Sequence, residues 1–66
     1  MSLNVVREWF ELYLSEQREI AASLGLPPQG ASGQLEWGKL VLMTAKEKGE
    51  LPRVAVAINS ALRQRS

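Results

Sequence analysis

The chain has 66 residues, 45% of them hydrophobic and 23% charged, with a net charge of +1; this is a globular composition with room for one domain. It contains no His, no Cys and, since every acid is a Glu, no Asp. Those absences exclude a zinc site, haem ligation by His or Cys, a thiol nucleophile, any disulfide and a Ser-His-Asp triad, so no catalytic residue, metal or cofactor is expected.

The first periodic stretch runs from about Asn4 to Leu14. Val5, Val6, Trp9, Phe10 and Tyr13 recur at spacings of three and four, as on an amphipathic helix. Asn4 suits the N-cap because its side-chain oxygen can accept from an amide one turn in. Leu12 and Leu14 lie off that stripe, which predicts burial on more than one side. From Ser15 to Glu19 every residue is polar, and Ile20, Ala21 and Leu24 then resume helical spacing. Either one helix passes through a solvated turn, or Ser15 caps a second short helix reaching about Leu24; the second is preferred. Gly25 then provides a C-terminal residue that adopts positive φ without steric cost.

Leu26 to Gly33 holds two Pro and two Gly, and Pro28 forces Pro27 out of the α region, so no helix runs through from the preceding segment. Ser32 is a candidate N-cap for a helix from about Gly33 to Lys48. Its apolar residues, Leu35, Trp37, Leu40, Val41, Leu42, Met43 and Ala45, fall all round the helical wheel. Such a helix is either central or buried against a second chain. Gly49 ends it. The last helix starts near Leu51 with Pro52 in its first turn and carries a stripe of Leu51, Val54, Ala55, Ile58, Ala61 and Leu62.

No segment alternates with period two, so the expected fold class is all-α, a single domain over residues 1–66 with three to four short helices. The expected core is Val6, Trp9, Phe10, Tyr13, Ile20, Leu24, Leu35, Val41, Leu42, Ala45, Leu51, Val54, Ile58 and Leu62. No run of 18 apolar residues exists, so no membrane span is expected. Met1 to Phe10 lacks the basic stretch and apolar core of a signal peptide, which points to the cytoplasm.

Residues 1–26 carry Arg7 and Arg18 against Glu8, Glu11, Glu16 and Glu19, a net of −2. Residues 27–66 carry Lys39, Lys46, Lys48, Arg53, Arg63 and Arg65 against Glu36, Glu47 and Glu50, a net of +3. Acidic and basic parts on one bundle suit head-to-tail assembly as well as plain solvation. A domain of this size buries only roughly 60% of its unfolded surface, so self-association or a partner protein is a physical expectation.

The segment Gln17 to Leu26, QREIAASLGL, resembles the first half of the helix-turn-helix in phage repressors and related small regulators. The family's opening Gln, its small residue at the helix contact and its turn Gly fall on Gln17, Ala21 and Gly25. Gly49 to Leu62, GELPRVAVAINSAL, resembles the packing helix that follows the recognition helix in those proteins. The resemblance implies a DNA-binding regulator of transcription that takes double-stranded DNA. Ala21 and Gly25 would set the turn, and the recognition helix would span roughly Pro28 to Trp37. Gln29, Ser32 and Gln34 would face the groove, where Gln can read adenine. That stretch departs from the family in holding Gly30 and Gly33 and no Arg or Lys. Phosphate contacts, which supply essentially all non-specific affinity, would therefore fall to Arg18, Lys39 and Arg53. From a different class, Val41 to Ile58 resembles the later helices of bacterial death-like or effector-associated adaptor domains. It implies a protein–protein interaction module that binds copies of itself or another protein, as a homotypic adaptor, an inhibitor or an antitoxin-like partner of a larger protein.

Overall fold

The computed structural model describes residues 4–28 and 33–65. Among them are four helices, α1 (Val5–Glu11), α2 (Leu14–Ser23), α3 (Gln34–Glu47) and α4 (Leu51–Arg63), with no strand, so the domain is a small all-α bundle. Among the described residues no helix is long and apolar enough to cross a membrane.

α1 is short because the chain turns extended at Leu12 (φ −73°, ψ 152°). This break separates α1 from α2, and Tyr13 instead of Ser15 is the residue that caps α2. The backbone N–H of Tyr13 donates to Glu16 Oε1 at 2.8 Å, which satisfies an amide at the helix start. Asn4 precedes α1 as expected, but its side chain makes no capping hydrogen bond.

α2 ends at Gly25, whose φ of +78° lies in the left-handed region. The N–H of Gly25 reaches the carbonyl of Ala22 and that of Leu26 reaches Ala21, at 3.0 and 2.9 Å. These two bonds are the Schellman closure, which consumes carbonyls the helix end would otherwise leave orphaned. The same pair closes α3, from Gly49 to Lys46 and from Glu50 to Ala45. Pro52 opens α4, where its missing N–H costs nothing.

The core is Val5, Trp9, Leu12, Ala21, Leu24, Trp37, Val41, Leu42, Ala45, Val54 and Ile58. Phe10, Ile20, Leu51 and Leu62 pack against it half-buried. Three expected core residues lie outside it. Val6 is 52% exposed because α1 turns Val5 and Trp9 inward, and Val6 lies about 100° round from Val5. Tyr13 is 64% exposed, because the extended Leu12 ends the helical register before it. Leu35 is 56% exposed, because α3 buries Trp37, Gly38, Val41, Leu42 and Ala45 on another side.

α1 and α3 meet at unusually close range. Trp9 is fully buried, with its ring centroid 5.8 Å from that of Trp37 and the planes tilted by 56°. Gly38 makes the approach possible. A β-carbon there would stand 2.7 Å from Trp9 Nε1 and 2.8 Å from Phe10 Cζ. Trp9 Nε1 is a buried donor without an acceptor among the described residues. Gly38→Ala is expected to destabilise the bundle by about 1–3 kcal/mol through overpacking, although Ala favours a helix over Gly by about 1 kcal/mol. Chemical denaturation measures it, and a stabilised variant would mean that Trp9 and Phe10 yield freely.

Candidate functional site

Of the residues expected to meet DNA, Arg18, Lys39 and Arg53 stand on α2, α3 and α4 respectively. Arg18 is exposed on α2. It lies roughly 150° round that helix from Ile20 and Ser23, which face α4 across a shallow cleft of about 160 Å³. Arg53 lines that same cleft, so Arg18 and Arg53 point to different sides of α2. Arg53 is moreover engaged, its Nη1 donating to Glu50 Oε1 at 3.1 Å with the side chain 84% exposed. Lys39 is exposed on α3. Gln34 opens α3, and its Nε2 donates to Gln17 Oε1 at 3.3 Å. Gln29 and Ser32, together with Gly30 and Ala31, lie outside the described residues.

Ala21 is fully buried, and Gly25 makes a tight corner. The helix expected over Pro28 to Trp37 is corrected: Leu26 to Pro28 are not helical, and Gly33 has φ +94°, which no right-handed helix accommodates. α3 begins only at Gln34 and runs to Glu47. The connection from Ser23 to Gln34 is thus ten residues long, where helix-turn-helix units join by three or four. Its first four residues are pinned to the bundle twice. Lys48 Nζ donates to the Leu24 carbonyl at 2.8 Å, and the Trp37 indole N–H donates to the Pro27 carbonyl at 3.1 Å.

Gln17, expected to open a positioning helix, is the one polar side chain in the buried set. Its amide donates to the Trp9 carbonyl at 2.9 Å, tying the end of α1 to the middle of α2. Sequence spacing did not reveal this, since Gln17 sits in an unbroken polar run. A second polar cluster joins the chain end to the α1–α2 corner. Arg65 pairs with Glu16, donates to the Glu11 carbonyl at 2.9 Å, and lies 3.8 Å above the Tyr13 ring. Its groups neutralise and orient one another, which is an anchoring arrangement with no unengaged nucleophile or base.

The outer side of α3 is the other feature that spacing alone left unplaced. Leu40 and Met43 are 51% and 62% exposed and share one side of the helix, with Leu35 toward its edge. No protein-family model, curated protein or solved structure matches this chain.

Arg65→Ala is expected to lower stability by about 1–2 kcal/mol, from the lost stacking, ion pair and charge-assisted hydrogen bond. Arg65→Lys is expected to recover less than half, because an ammonium cannot reproduce the guanidinium fork. Thermal or chemical denaturation of both variants checks this, and equal stability of all three proteins would show the cluster to be inert.

Proposed function

We propose that this chain is a non-enzymatic helical interaction module that binds protein through the outer side of α3. The observation that carries the proposal is the exposure of Leu40 and Met43 on a helix whose other side is the floor of the core. Neighbouring large apolar side chains left exposed on a rigid helix mark a surface suited to burial against a partner. Two further features favour a protein over a nucleic acid as the cover. The exposed cations Arg18, Lys39 and Arg53 stand on three different helices, whereas a duplex groove needs basic side chains arrayed along one track. The outer side of α3 also carries Glu36 and Glu47 beside Lys39 and Lys46, so it offers a phosphate backbone no net positive charge.

A photo-cross-linking residue at position 43 is expected to give protein adducts in the native cell. The same residue at position 22, exposed on α2, is expected to give at least about tenfold fewer, since a rigid buried patch dominates binding. Equal labelling at the two positions would overturn the proposal. So would binding to random-sequence duplex DNA at about 50 mM salt that weakens steeply as salt rises, the signature of phosphate contacts.

A further inference from the structure

We infer that the cover for α3 is the α4 surface of a second copy of this chain, giving head-to-tail assembly. The inference rests on the protein-binding role proposed above and names its partner.

At 100° per residue, Glu36, Leu40, Met43 and Glu47 fall on one outward stripe of α3, and all four are exposed. The stripe is a pair of apolar side chains with an acid at each end. On α4 the outward stripe is Arg53, Val56, Ser60 and Arg63, again all exposed, with Val56 at 68%. It is an apolar and small centre with a base at each end, on a helix that holds no acid from Leu51 to Arg63. The end charges are eleven residues apart on α3 and ten apart on α4. At 1.5 Å per residue these are separations of about 16 and 15 Å, so both charge pairs can form in a single register with the apolar centres in contact.

Three of these four charges are unpaired among the described residues, and the fourth, Arg53, would exchange its Glu50 partner. Among the described residues the ion pairs are Arg53 with Glu50 and Arg65 with Glu16. Glu36, Glu47 and Arg63 therefore have no partner within the described chain. The Arg53–Glu50 pair is a solvent-exposed one of the kind that contributes little and exchanges readily. Lys39 and Lys46 lie about a quarter-turn from the α3 stripe and remain at the rim of the contact.

Pairing α3 against α3 is disfavoured by the same pattern. An antiparallel pair brings Glu36 of one copy to Glu47 of the other, and a parallel pair brings each Glu to its own equivalent. The complementary partner is α4, and a contact between two different surfaces of one molecule does not close on itself as a two-fold does. With so few apolar side chains in each stripe, the contact belongs to the weak and transient size class.

Sedimentation velocity from low micromolar to about 1 mM reads the outcome. The wild-type chain is expected to show a weight-average mass that rises continuously with concentration, without a plateau at two. Leu40→Gln with Met43→Gln disables the α3 stripe, and Val56→Gln with Arg63→Gln disables the α4 stripe. Each double variant alone is expected to stay monomeric with unchanged helicity by circular dichroism. An equimolar mixture is expected to form a one-to-one dimer and nothing larger, because it holds a single intact pair of complementary surfaces. A wild-type chain that is monomeric throughout overturns the inference. So does a mass plateau at dimer that survives the α4 substitutions, which would mean α3 pairing with itself. In either case adducts to other proteins from position 43 would leave the broader proposal standing, and their absence would remove it as well.

Discussion

The seating of Trp9 against Gly38 is the contact on which the arrangement of this bundle depends. A fully buried indole is the largest apolar side chain this small core contains, and it can enter only where the facing helix presents no β-carbon. Once α1 is laid against α3 at that distance, the rest is constrained. Trp37 tilts against Trp9, Gln17 caps the Trp9 carbonyl from α2, and α4 closes over the remaining side with Val54 and Ile58. An unpaired indole N–H costs about 1–3 kcal/mol. That the structure retains one indicates how much apolar burial the close approach returns.

The ends of α2 and α3 and the start of α4 were legible from the chain. Gly25 and Gly49 stand where left-handed residues close α2 and α3, and Pro52 stands where α4 needs no amide. These signals act through backbone sterics alone, so they are local and survive any packing. Which side of each helix faces inward is another matter. Val5 and Val6 are equivalent in hydropathy and adjacent in sequence. The choice between them is made by the direction in which Trp9 finds Gly38, thirty residues away in sequence. Tyr13 falls on the stripe of Trp9 only if α1 continues, and α1 stops at Glu11. A polar Gln17 at the centre of the core has no periodicity to betray it. Its burial goes with the bond it donates to the Trp9 carbonyl, which also accepts from the Leu12 N–H where α1 ends.

The expected DNA-contacting set shows the same division. Ala21 and Gly25 were placed by steric arguments and lie as those arguments require. Arg18, Lys39 and Arg53 were chosen for charge, and charge carries no information about facing direction. The ten-residue connection between α2 and α3 is longer than the three or four residues that join a helix-turn-helix. Gly33 at positive φ and two consecutive prolines are the physical causes, and both were visible in the sequence as helix breakers.

α3 therefore has two distinct sides with different consequences. Its inner side, Trp37, Gly38, Val41, Leu42 and Ala45, is the surface on which the core is assembled. Its outer side could be wholly polar without cost to the core, yet two large apolar residues stand exposed there in a domain whose small core leaves little stability to spare. Exposed apolar groups add nothing to the stability of an isolated bundle, but any partner that covers them stabilises the folded state by mass action. Because the outer stripe is carried by the same rigid helix that organises the core, it is presented in fixed geometry whenever the chain is folded, and binding there requires no further ordering of backbone. On the proposed binding role, folding and recognition would be coupled through one element, at the positions whose hydropathy makes least sense for the monomer.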